Sequence, residues 1–333
     1  MSKRTTVVAA LSVAALFPAT ALAATIDGTN ASEKLRGTSL ADTINALAGN
    51  DKLIGFAGDD VLNAGAGNDR AWGGAGNDTI VGLQGNDRLF GGAGDDNITG
   101  DANGVGDRTS FDRIFGGAGN DTLKGGDSRD HIAGGSGNDQ SDGGNGRDRM
   151  SGGSGDDVQN GGDGNDVIYA NTGIDVSNGG NGNDKLWAMA RADVSGPGDV
   201  IADTLDGGAG NDQFRTRDGE ADKITCGDGV DRAYLDLVDV ITDATAENPN
   251  GSCEQVVRKE PRNSEDSAEN KAASDDTKSD VAAAREAVKA AREALRDARK
   301  NQREARKNRR EDRREAAKER REERREAREN RRK

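Results

Sequence analysis

The 333-residue sequence predicts an all-β solenoid of nonapeptide repeats followed by a long, charged C-terminal α-helix, and three observations carry that expectation. A nine-residue period of glycine and aspartate runs from about Gly28 to Asp231. Aromatic residues make up only 3% of the chain beside 48 glycines, so a conventional core of interlocking large side chains is not available. Beyond residue 280 the composition turns to Ala, Arg, Glu and Lys, all strong helix formers. A fixed short period is the mark of stacked units, each of which buries its apolar face only against its neighbours.

In register, the repeats read GFAGDDVLN from Gly55, AGAGNDRAW from Ala64, GGAGNDTIV from Gly73, GLQGNDRLF from Gly82 and GGAGDDNIT from Gly91. They resume with GGAGNDTLK from Gly116 and continue through GGSGNDQSD, GGSGDDVQN, GGDGNDVIY and GGNGNDKLW, the last starting at Gly179. Weaker copies flank them, GTNASEKLR from Gly28 and GTSLADTIN from Gly37 before, GGAGNDQFR from Gly207 after. The eighth position is mostly apolar (Leu53, Leu62, Ile80, Leu89, Ile98, Leu123, Ile132, Ile168, Leu186, Phe214), which fits one inward side chain per short strand. Glycines supply the backbone freedom that a turn every nine residues demands, and the asparagines ahead of the aspartates tolerate turn conformations.

These residues match G-G-x-G-x-D-x-U-x, so the segment resembles the RTX family of hemolysin-type calcium-binding repeats. The resemblance implies a parallel β-roll with two repeats per coil, the first six residues of each repeat forming a calcium-binding turn and the last three a strand. It also assigns a ligand role to the sixth-position aspartates: Asp42, Asp51, Asp60, Asp69, Asp78, Asp87 and Asp96 in one run, then Asp121, Asp130, Asp139, Asp148, Asp157, Asp166, Asp175, Asp184 and Asp193 in a second, with Asp112 between them and Asp203 and Asp212 beyond. Two repeats per coil would stack Asp60 with Asp78 on one edge and Asp51 with Asp69 on the other. At the roughly 4.8 Å between stacked coils, neighbouring carboxylates repel by about 3 kcal/mol at an effective dielectric near 20. A hard divalent cation reverses that sign, and six to eight oxygen ligands favour Ca²⁺ over the stricter octahedral Mg²⁺. Runs of seven and nine turns imply about a dozen ions together. Without calcium, the same acidic, glycine-rich segment is expected to be disordered.

Several departures qualify the pattern. Residues 100 to 115 read as one repeat with about seven extra residues protruding from a turn, and the stretch from Val194 to Ala202 as one extra residue before Asp203. Ser141, Gln159 and Ser177 occupy eighth positions spaced by 18, which puts them on one sheet and makes that sheet the weaker one. Ser128, Arg129, Arg147 and Ile174 replace the usual fourth- and fifth-position residues. Trp72 and Trp187, at ninth positions, read as strand packing rather than ligand stacking. Residues 223 to 257 regain apolar side chains and carry Cys226 and Cys253, read as a disulfide in a terminal cap, with two free thiols as the alternative.

The ends belong to other kinds of polypeptide. Lys3 and Arg4, an apolar run from Val7 to Phe17 and Ala21-Leu22-Ala23 predict a signal peptide over 1–23, the run being too short for a membrane anchor. Residues 24–257 hold 41 acidic and 17 basic side chains, whereas 258–333 hold 27 basic and 19 acidic. Residues 258–280 read as a disordered linker and 281–333 as a charged helix whose alanine-rich heptad seam allows weak self-association. Anionic cell-envelope polymer or lipid is the partner such a basic tail would attract, and no specific nucleic-acid recognition is expected. His131 is the single histidine, placed at an outward seventh position, and no phosphate-binding loop or His-Glu-x-x-His motif occurs, so an enzyme is not expected. The sequence-level expectation is therefore a secreted, bacterial, non-catalytic calcium-binding protein, with a surface adhesin or spacer as the rival.

Overall fold

The computed structural model describes residues 23–101, 110–188 and 202–259. Nearly all of the expected signal peptide, the insertion at 102–109, Asp193, most of the linker and the helix expected over 281–333 lie outside the described residues. Among the described residues no helix is long and apolar enough to cross a membrane.

Successive strands alternate between two parallel sheets of twelve strands each. Thr25–Asp27 pairs with Thr43–Asn45 in one sheet, and Lys34–Arg36 with Lys52–Ala57 in the other. Most partners are 18 residues apart, as in Leu62 opposite Ile80 and Ala71 opposite Leu89, so two repeats close one coil. The result is the parallel β-roll that the resemblance implies.

Most strands prove longer than three residues. Arg70–Ala75 and Thr79–Gln84 each take in positions seven to nine of one repeat and one to three of the next. The cause is backbone pairing that continues into the glycines: Gly58 N–H donates to the Ala75 carbonyl at 2.8 Å, and Gly76 N–H to the Ala93 carbonyl at 2.8 Å. Only positions four to six are left to turn the chain between sheets. Gly76, at position four, begins the bend with a φ of 122°, and Gly74 inside the strand takes 129°, values that L side chains rarely adopt.

The interior is narrow and built from three positions per repeat. Eighth-position side chains such as Leu62, Ile80, Ile98 and Leu123 are fully enclosed, flanked by first-position glycines or alanines and by the sixth-position aspartates. One apolar cluster runs from Ile44 to Ile168 and a second from Leu186 to Cys253. On one sheet Ser141, Gln159 and Ser177 follow one another in register, as their spacing implies. Ser177 Oγ lies 3.2 Å from Gln159 Oε1, while the buried Gln159 Nε2 has no hydrogen-bond partner.

On the outer face of the other sheet, Trp72 stacks on Phe90 with centroids 5.3 Å apart, and Phe90 on Phe115 at 5.0 Å. Trp187 meets Tyr169 edge-on at 4.7 Å. Both tryptophans thus pack along the strands, and half-buried His131 sets its ring edge against Phe115. Both sheets continue past residue 223, with Arg232–Leu235 pairing Gln255–Arg258. Cys226 and Cys253 are joined by a disulfide inside this last part, which settles their pairing.

Candidate metal centre

The turn sequence Gly-Asn/Asp-Asp carries the chain around the edge of the roll and sends the sixth-position side chain inward. The aspartates therefore form two rows. One holds Asp42, Asp60, Asp78, Asp96, Asp121, Asp139, Asp157, Asp175, Asp203, Asp222 and Asp239, and each N–H donates to the Oδ1 of the next. The other holds Asp51, Asp69, Asp87, Asp112, Asp130, Asp148, Asp166, Asp184, Asp212 and Asp231, linked the same way. Glu33 N–H donates to Asp51 at one end, and Asp231 N–H to Glu254 at the other. Typical separations are 2.8 Å, as from Asp60 N to Asp78 Oδ1.

The second carboxylate oxygen is the informative one. Oδ2 of Asp51, Asp60, Asp69, Asp78, Asp87, Asp96, Asp112, Asp121, Asp130, Asp139, Asp148, Asp157, Asp166, Asp175, Asp184 and Asp212 is enclosed and accepts no hydrogen bond. It is aimed back at the first-position glycine of its own repeat, next to a carbonyl of the following coil. A Cβ on Gly143 would sit 2.5 Å from Asp148 Oδ2 and 2.5 Å from the Gly161 carbonyl oxygen, so a side chain there would displace the carboxylate. An enclosed anion without a donor is costly, and one orphaned oxygen per turn is too regular to be a defect.

Electrostatics point the same way. Burial pushes the carboxyls of Asp60 and Asp69 up to about 6, Asp78 to about 7, Asp87 and Asp96 to about 8 and Asp130 to about 9. Backbone hydrogen bonds oppose the rise, and neighbouring carboxylates in the row add to it. Rows of buried, mutually repelling, hard oxygen donors fit a divalent cation of the Ca²⁺ type and offer nothing to a soft metal.

The structure corrects the rows in two respects. They are continuous rather than split into runs of seven and nine, because the steps from Asp87 to Asp112 and from Asp96 to Asp121 span 25 residues and simply carry the seven-residue insertion. Asp203 takes the place after Asp175 that regular spacing would give to Asp193, at a separation of 28 residues, and Asp212 follows Asp184 by the same interval. The second insertion is thus about ten residues rather than one, since the sequence between Trp187 and Asp203 keeps no glycine register by which its length could be judged.

Several row members carry no ligand assignment from the sequence, although imperfect repeats can be read around Asp222 and Asp231. Glu33 stands at the sixth position of GTNASEKLR, and Asp222, Asp231 and Glu254 each directly precede a strand. Asp239 was hidden by a shortened step of 17 residues from Asp222. The fifth position has a second function that was not foreseen. Asn68 N–H donates to Asn50 Oδ1, Asn86 N–H to Asn68 Oδ1, Asn77 N–H to Asp59 Oδ1 and Asp95 N–H to Asn77 Oδ1, an outer row that satisfies turn amides coil by coil.

Comparison with protein families matches the sequence to the RTX calcium-binding nonapeptide repeat (4 copies) over residues 36–71, 72–103, 109–140, 142–177, 169–194 and 202–221. Comparison with curated proteins finds no match. The matched stretches cover more than half of the chain and contain the sixth-position aspartates from Asp42 to Asp212, so the chain belongs to the RTX calcium-binding nonapeptide repeat family.

Proposed function

We propose that this chain is an exported, non-catalytic calcium-binding protein whose roll folds when Ca²⁺ fills the aspartate rows outside the cell. The observation that carries the reading is the pair of continuous rows of enclosed carboxylates, in which most members, from Asp51 to Asp184 and again at Asp212, keep an Oδ2 without a donor. The sixth-position aspartates from Asp42 to Asp212 would hold the ions together with turn carbonyls, and about a dozen ions is the expected order. Ca²⁺ supplies the positive charge that lets like-charged coils stack; the chain supplies rigid oxygen donors and excludes water from their inner side. The stretch 223–257 serves as a terminal cap. Export agrees with the apolar N-terminal segment ending at Ala23, with the disulfide, and with the secreted character usual for RTX proteins. Circular dichroism of the chain from Ala24, titrated with calcium, tests the reading. Strand signal should appear at millimolar Ca²⁺ and vanish with chelator, and an identical spectrum in both conditions would sink it.

The charge division favours a second role on top of the first. Residues 281–333 carry 22 basic and 12 acidic side chains, attached to a strongly acidic body. The tail would bind anionic envelope polymer or lipid, better with calcium than without, because filled rows no longer compete for it. Deletion of 281–333 should abolish sedimentation with cell walls and leave calcium-driven folding intact.

A further inference from the structure

The turn from Thr216 to Asp222 departs from the repeat in a specific way. A regular turn encloses one carboxylate, as Asp78 is enclosed while Asn77 beside it is exposed. This turn encloses three: Asp218, Glu220 and Asp222 are 7%, 3% and 0% exposed. The following turn adds Asp236 and Asp239, both enclosed, and Asp203 lies one coil before.

Local donors serve part of this cluster. Gly219 N–H donates to Asp236 Oδ2 at 2.9 Å, and Asp239 Oδ2 accepts from Thr216 Oγ1 at 2.6 Å and from Asp236 N–H at 2.7 Å. Asp222 N–H reaches Asp239 Oδ1 at 3.2 Å. The Arg258 guanidinium, the cation contributed by the last strand, is spent on carbonyls, donating to Asp239 O at 2.9 Å. Asp236 and Asp239 are therefore held by the fold. Asp218 and Asp222 are different: each uses Oδ1 to accept a backbone N–H, and each keeps an enclosed Oδ2 that accepts nothing. One carboxylate oxygen from each of Asp203, Glu220 and Asp222 lies within 4.8 Å of the other two.

We propose that Asp203 and Asp222, neighbours in one aspartate row, join Glu220, with Asp218 alongside, in a site for one hard divalent cation that departs from the regular row sites by drawing further side-chain carboxylates from its turn. The choice of Ca²⁺ as its ion rests on the function proposed above, whereas the site itself rests on this convergence. Glu220 is the distinguishing residue, because a glutamate can offer both oxygens to one ion and nothing in the nine-residue pattern calls for it. More carboxylates around one ion mean tighter binding than in the regular rows. The disulfide strengthens that ordering, since Cys226 follows the strand Lys223–Thr225 that leaves this turn.

Calcium counting by flow dialysis on the full chain, combined with hydrogen exchange over residues 202–240, tests the proposal. Glu220→Gln should lose one ion from the tightest class, or weaken that class about tenfold, and reduce calcium-dependent protection in 202–240 while the central coils keep theirs. Asp78→Asn should do the opposite, sparing the tightest class. If Glu220→Gln does not fold, Asp218→Asn is read in the same way. An unchanged count and affinity in the folded variant overturns this site and leaves the calcium rows standing. A wild-type chain that takes up no calcium overturns both.

Discussion

The central coils, from Thr43 to Trp187, and the terminal coils, from Thr204 to Arg258, share one topology and are held by different forces. In the centre, most strands contribute one enclosed apolar side chain at the eighth position, and the rest of the interior is mainly glycine, alanine and carboxylate. The apolar line even lapses at Ser141, Gln159 and Ser177. In the terminal coils Leu205, Phe214, Ile224, Leu235, Ile241 and a disulfide share the interior, and the carboxylate rows continue but gain Asp218, Glu220 and Asp236 beside them. The comparison teaches that stacking alone does not hold a thin roll. On the proposed function, the coils of most regular sequence would depend on the ion, and those where regularity fails would rest more on covalent and apolar contacts.

Calcium removal should produce the largest contrast. With chelator, hydrogen exchange in the central coils should lose essentially all protection, while peptides around Cys226 and Cys253 keep a measurable part of theirs. Uniform loss along the chain would erase the distinction. Single sites come next: Asp78→Ala should weaken calcium binding in calorimetry about tenfold, and Asp59→Ala less than about threefold, because Asp78 is enclosed with a bare Oδ2 while Asp59 only accepts the exposed Asn77 N–H. Equal losses would mean that the outer row, not the inner one, holds the metal.

Cys226→Ser should cost about 2–4 kcal/mol, confined to the terminal coils, and thermal melts with calcium present would read it. A comparable loss in the centre would show that the two regions unfold as one. Replacing Gln159 by Leu is the smallest test. It removes an enclosed amide nitrogen without a partner from the central core, at the expense of the Ser177 contact, and should raise stability by about 1 kcal/mol. A drop in melting temperature would mean that the polar lapse is structurally required.

The pH response sharpens the same contrast. In the metal-free roll, burial raises Asp78, Asp139 and Asp157 to about 7, against about 4 in an unfolded chain. Between those values the folded state holds more protons than the unfolded one, so metal-free stability is fully present below about pH 4 and is lost as pH rises through about 7. Calcium binds the ionised form, so its apparent affinity should fall as pH drops through the same window. Chelated protein showing more strand signal at pH 8 than at pH 5 would contradict this.

The inner rows were legible because period and residue type coincide: Asp at every sixth position and an aliphatic residue at most eighth positions can be read without coordinates. The fifth-position row was not, since Asn and Asp there look like ordinary turn formers until the stacked neighbour is known. The place taken by Asp203 was equally hidden, because the length of an insertion shows only in what pairs on either side of it.

By itself the sequence determined the repeat, the resemblance to the family and the identity of most inner-row carboxylates, all of them local features recurring with fixed spacing, and that resemblance in turn implied two repeats per coil. Tertiary structure decided what depends on neighbours far along the chain. It joined both rows across their insertions, extended the strands through the glycines by pairing between coils, and brought Asp203, Glu220 and Asp222 together from two different coils. The physical reason is that a solenoid makes its contacts between residues about eighteen apart, so every insertion or shortened turn resets which side chains meet, and only the folded backbone carries that offset.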